Sequence, residues 1–156
     1  MAWTELKFGK HKGKTLPQVL FSDPDWFFWA CEQQTFRGAQ RREADLIYVR
    51  ATHIRIPQSG GETLVAEYLV HPTVHKFGGM ELVPESRPHH QGSTPTFRSR
   101  VIDMSVPRQI AEYDKFGCKV MVAAVKYHVI GDENARMTKT RCEQFFDDLS
   151  NFTQTA

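Results

Sequence analysis

The first apolar anchors of the chain are set around a lysine-rich gap: Phe8 precedes Gly9-Lys10-His11-Lys12-Gly13-Lys14-Thr15, and apolar positions resume at Leu16. Glycine at both ends of the gap can take the positive φ that tight turns need, so the stretch predicts a β-hairpin with its lysines crowded at the tip. Pro17 and then Asp23-Pro24 read as helix starts, the second as an N-cap followed by proline at the first helical position. That second helix, about Pro24 to Gln34, places Trp26, Phe27, Ala30 and Cys31 on one face. Phe28 and Trp29 spread apolar surface around the rest, which predicts cover on several sides and a buried Trp29.

A third helix is predicted from Arg37 to about Ala51, with Ala39, Leu46, Ile47 and Ala51 as its apolar stripe. The rhythm then changes to period two. His53 to Pro57 and Thr63 to Val70 read as strands joined through Gln58-Ser59-Gly60-Gly61-Glu62, and Met80 to Val83 reads as another after the turn Phe77-Gly78-Gly79. Phe97 to Met104 alternates again and sets Arg98 and Arg100 on one face. Between these, Pro84 to Pro95 has little to bury and predicts a long exposed loop. Ser105-Val106-Pro107 opens a helix to about Phe116, ended by Gly117. Cys118 to Ile130, rich in valine, is expected to be a buried strand, although Met121, Ala123 and Ala124 fit a helix as well. Thr140 with Glu143 resembles a capping box that opens a last helix with Cys142, Phe145, Phe146, Leu149 and Phe152 facing inward.

The resulting expectation is an α+β fold. A hairpin-helix module, residues 1–35, packs with an α+β body, residues 36–156, as a single domain around a mostly antiparallel sheet of four or five strands closed by a C-terminal helix. A length of 156 residues with 40% hydrophobic positions suffices for one such core. The formal net charge of +2 is too small to mark a nucleic-acid binder globally, so any electrostatic footprint has to be local. Lys7, Lys10, Lys12 and Lys14 form that cluster, and Arg37, Arg41, Arg42 and Arg50 extend it unless Glu43 and Asp45 pair with them on a solvated helix face.

Cys31, Cys118 and Cys142 are widely spaced and form no Cys-x-x-Cys pair, which argues against a disulfide framework and against a thiolate zinc site. With no apolar leader and no long apolar span, the expected setting is the cytoplasm, without membrane contact. His71 and His75 have a helical chelating spacing, but Pro72 spoils it. Extended residues four apart lie roughly 13 Å from one another, too far for ligands held at about 2 Å from zinc. Glu67, Glu81 and Asp103 fall on predicted strands as candidate magnesium ligands, or as plain solvent-facing carboxylates. Phosphate-loop, nucleophile-elbow and dinucleotide-turn motifs are lacking. The residues therefore point to no cofactor and to no catalytic group.

The order Phe8-Gly9-Lys10-x-Lys12-Gly13-x-x-Leu16, then Asp23-Pro24-x-Trp26-Phe27-x-Trp29, resembles the small module at the C-terminus of exonuclease X-like proteins and in short bacterial and phage proteins of unknown function. The resemblance covers residues 1–35 alone. The catalytic acidic residues of those nucleases lie in a separate domain that has no counterpart here, so the resemblance implies an accessory module. Three functional readings follow. The first is a non-catalytic accessory protein of a bacterium, phage or mobile element that binds DNA or RNA, or a nucleic-acid-processing protein, through Lys7, Lys10, Lys12, Lys14, Arg37 and Arg41. The second is a protein-interaction or inhibitor role, docking through Trp26 and Phe28 together with the loop 84–95. The third is a metal-dependent hydrolase.

Overall fold

The computed structural model describes residues 2–58, 60–71, 76–89, 96–111 and 114–153, and of His71 the backbone. In chain order the elements are α1 (Leu16–Ser22), α2 (Pro24–Glu32), α3 (Gly38–Ala51), β1 (Ile54–Arg55), β2 (Leu64–His71), β3 (Lys76–Pro84), β4 (Thr96–Ser99), β5 (Val101–Ile102), α4 (Val106–Ile110) and α5 (Lys115–Val125). A π-helical turn, Lys126–Ile130, continues α5, and α6 (Lys139–Asp147) closes the chain with a short 3-10 turn, Leu149–Asn151. The fold is α+β with a C-terminal helix.

All strand pairs are antiparallel, but the five described strands divide into two sheets, β3-β2-β4 and β1-β5. The single run expected from Phe97 to Met104 breaks at Arg100, so that β4 joins β2 while β5 crosses to β1. Tyr68 ties the two sheets together. Its buried ring stacks on Phe97 at 4.9 Å, and its hydroxyl donates to the Val101 carbonyl and accepts from the Asp103 amide, each at 2.9 Å.

The first two helices obey their sequence signals. Thr15 caps α1 in a box with Gln18, Pro17 and Pro24 sit in first turns, and Asp23 accepts from the Trp26 amide to cap α2. On α3 the buried stripe is Glu43, Ala44, Ile47 and Ala51 rather than one beginning at Ala39, which is exposed. Glu43 is buried because it accepts from the Thr4 amide at 2.9 Å and from the Thr4 hydroxyl at 2.6 Å, fastening the N-terminal segment to α3.

Four expectations are corrected. The lysine stretch is a loop without a strand ladder: it closes through the Leu6 amide on the Lys14 carbonyl and the Gly13 amide on the Leu6 carbonyl, both at 2.8 Å. Residues 118–130 are helical, and Gly117 lies inside the first turn of α5 because Asp114 caps that helix by accepting the Gly117 amide at 2.7 Å. The last helix is capped by Thr138, not Thr140, and Leu149 beyond its end is 66% exposed. The Gly78-Gly79 pair belongs to β3, where the β2 register shifts, and forms no connecting turn. Part of the predicted loop 84–95 lies outside the described residues; its described portion, 85–89, is exposed.

The N-terminal module has no separate mini-core. Trp26, Phe27 and Phe28 belong to one buried cluster with Ile47, Met121, Phe146 and Phe152, so the core runs from one end of the chain to the other. Phe21 of α1 meets Phe145 and Phe146 of α6 edge-on, at 5.4 Å and 5.9 Å.

Candidate functional site

Asp23 is the residue on which the N-terminal loop is hung. Besides capping α2, its carboxylate receives His11 Nε2 at 2.9 Å, Lys10 Nζ at 3.1 Å and Lys115 Nζ at 3.2 Å. Burial works against its charge, but the His11, Lys10, Trp26 amide and Lys115 contacts outweigh that cost and hold its pKa at about 2. His11 is buried, with its ring edge-on to Trp26 at 5.0 Å. Its second nitrogen, Nδ1, has no partner among the described residues. Phe8 packs against Trp26 and Phe36, and Gly9 takes φ +75° where an added Cβ would lie 3.5 Å from the Trp26 ring. The aromatic and glycine positions of the sequence pattern thus brace a rigid loop on α2.

Beside this brace lies a cleft of about 780 Å³, lined by Lys10, Asp25, Trp26, Trp29, Glu32, Gln33, Arg108 and Lys115. One face of α2 supplies Asp25, Trp26, Trp29, Glu32 and Gln33, the spacing expected of a helical stripe. Arg108 reaches in from α4 and bridges Asp25 at 3.0 Å and Glu32 at 2.5 Å, which raises its own pKa against the opposing effect of burial. Asp25 also accepts from the Asp114 amide at 3.2 Å. The acidic groups of the cleft are therefore committed to holding α2, α4 and α5 together. Lys10 and Lys115, both paired with Asp23, also line the cleft, and Trp29 is 44% exposed.

Of the residues expected to meet nucleic acid, Lys7, Lys12 and Lys14 are exposed and form no ion pair among the described residues. Lys10 is exposed and paired with Asp23. Arg37 lies at the base of the loop: its guanidinium donates to the carbonyls of Gln34 and Phe36, and Phe36 packs on Phe8. Arg41 is exposed on α3 and has no hydrogen bond or ion pair to the lysine loop among the described residues.

The expected partner-binding aromatics are placed differently. Phe28 is 2% exposed, enclosed by Phe27 and Tyr48, and offers no docking surface; Trp26 is buried and shows only an edge to the cleft. The exposed aromatic of α2 is Trp29, which sequence reasoning placed in the core. His11, Arg108 and Lys115 were not anticipated. His11 reads as one more cation in a basic run, and the other two come from distant elements whose approach no local pattern encodes.

The hydrolase candidates do not converge. Glu67 faces Glu81 across the β2-β3 pair but is taken by Arg98 at 2.7 Å, while Asp103 accepts from the Ser105 amide and hydroxyl within its own turn. Among the described residues no group of three or more metal-ligating side chains could hold an ion; residues 72–75 and 90, with their histidines, lie outside them. Burial, as the largest cause, pushes the thiols of Cys31 and Cys118 up to about 12 and that of Cys142 to about 11, so the thiolate a nucleophile requires is disfavoured. Among the described residues no helix is long and apolar enough to cross a membrane.

No protein-family model, curated protein or solved structure matches the chain.

Proposed function

We propose that the protein is a non-catalytic accessory factor that binds nucleic acid, with the lysine loop on the sugar–phosphate backbone and Trp29 as the stacking surface for an unpaired base. The observation that carries this reading is an exposed indole in a cleft that Lys10 and Lys115 also line, with Lys10 belonging to the same loop as the exposed Lys12 and Lys14. Cations that track phosphates together with a ring that accepts any base are the two components of sequence-tolerant single-strand binding. The resemblance of residues 1–35 to the accessory module of exonuclease X-like proteins supports the same reading, as does the bracing of the loop by His11, Asp23 and Trp26. A loop already fixed in shape loses little entropy when it binds.

Intrinsic fluorescence tests this directly, because Trp3 and Trp26 are buried and Trp29 is the exposed emitter. Titration with a single-stranded oligothymidylate should quench the emission saturably. Trp29→Ala should abolish the quenching and weaken binding by about 1 to 3 kcal/mol, the usual contribution of one stacked base. Undiminished affinity in that variant would remove the stacking role.

A further inference from the structure

A second groove, about 520 Å³, lies between β3, with Leu69 of β2 beside it, and the helix formed by α5 and its π-helical turn. The strand order leaves β3 hydrogen-bonded to β2 on one side only. The direction of its remaining backbone groups follows from the ladder. Glu85 donates its amide to the Thr63 carbonyl at 2.8 Å, so residue 85 faces β2, and the two-residue period turns Val83 and Glu81 the same way. Pro84, Leu82 and Met80 therefore point outward. One feature agrees with that phase: Pro84 has no amide to waste at an outward position. The Met80 amide and both backbone groups of Leu82 are left without a partner among the described residues.

The far wall is apolar. Val120, Ala123, Ala124 and Tyr127 line it, and Tyr127 is 59% exposed. Met80 of β3 and Met121, Val122 and Val125 of the helix all belong to the buried core. Glu81 is on the sheet face opposite Met80 and Glu133 stands at the rim; both are exposed, and neither lysine nor arginine lines the groove of this chain of net charge +2. Burial lowers the pKa of His128, and the Met80 carbonyl and Glu81 offset this only in part, so its imidazole adds little positive charge at neutral pH.

We propose that this slot receives an extended, basic segment of a partner protein by strand addition to β3. Main-chain bonds to Met80 and Leu82 would hold it; alternate side chains would then be small and apolar toward the Val120–Tyr127 wall and lysine or arginine toward Glu81 and Glu133. Charge disfavours a second copy of this chain as occupant, because pairing β3 with itself in the register that sets Met80 opposite Leu82 brings the Glu81 carboxylates of the two copies together.

The probe is a fluorescein-labelled peptide of alternating valine and lysine, followed by fluorescence anisotropy, with a valine–glutamate peptide as control. The lysine peptide should bind saturably and the glutamate peptide should not. Leu82→Pro removes an outward amide without touching the β2 ladder, and the double variant Glu81→Lys/Glu133→Lys reverses the rim. Each should weaken binding by at least about tenfold. Thermal melts by circular dichroism establish that the variants fold, and the double variant keeps the test decisive should Leu82→Pro unfold. Absence of saturable binding, equal binding of the two peptides, or unchanged affinity in the folded variants would overturn the proposal. So would sedimentation showing a wild-type dimer that Leu82→Pro converts to monomer, since the occupant would then be a second copy.

Discussion

Asp23 shows how one side chain does two jobs that the sequence displays as one. The Asp-Pro pair correctly marks a helix start, yet the same carboxylate gathers His11, Lys10 and Lys115. Its folded pKa of about 2 lies below the ordinary 3.8, so its contribution to stability is fully present above the ordinary value and is lost as pH falls through about 2. Asp23→Asn should therefore be less stable than wild type at pH 5, and urea melts at successively lower pH should show the difference shrinking. A constant gap down to pH 2 would mean that the charge is not what matters. Trp29 and Trp26 make the complementary comparison. Trp29→Ala should cost below about 1 kcal/mol, as surface changes do, and Trp26→Ala about 3 to 5 kcal/mol, as for a large buried aromatic. The two differ by three positions on one helix, and an apolar pattern that runs round the cylinder cannot say which tryptophan the fold leaves open.

At the scale of elements, the starts of α1, α2 and α4 were legible at Pro17, Asp23-Pro24 and Pro107, while the caps at Asp114 and Thr138 were not. The strand-like reading of residues 118–130 failed because valine content favours strands, whereas the cap at Asp114 and the buried positions Cys118, Met121, Val122 and Val125, spaced three, one and three apart, fix a helix. Asp114 also accepts the Phe77 amide at 3.3 Å, so one carboxylate starts α5 and anchors β3. A Cβ on Gly117 would lie 2.2 Å from that carboxylate. Gly117→Ala should therefore displace the cap and lower stability by about 0.5 to 2 kcal/mol, the range for a lost N-cap, and it should add little to Asp114→Ala because both remove the same interaction. Full additivity in denaturant melts would separate the two residues. The break at Arg100 that divides the sheet was not legible, since Tyr68 creates it from a strand far away in sequence.

For the molecule as a whole, class and terminal helix could be read from the chain, but not which residues share the core: Trp26, Phe27 and Phe28 of α2 lie in one buried cluster with Phe146 and Phe152. That shared core makes the lysine loop a fixed projection of the entire fold. The central claim is that this loop contacts phosphates, and the salt dependence of oligonucleotide binding tests it most directly. Lys7, Lys12 and Lys14 are the lysines to replace, because Lys10 belongs to the Asp23 brace. Each phosphate contact contributes roughly 0.7 to 0.9 to the slope of log affinity against log salt. Lys7→Gln/Lys12→Gln/Lys14→Gln should therefore flatten the slope by about 2 to 3, with the thermal melt unchanged. A slope identical to wild type, or a wild-type protein with no salt-sensitive affinity for DNA or RNA, would contradict the account.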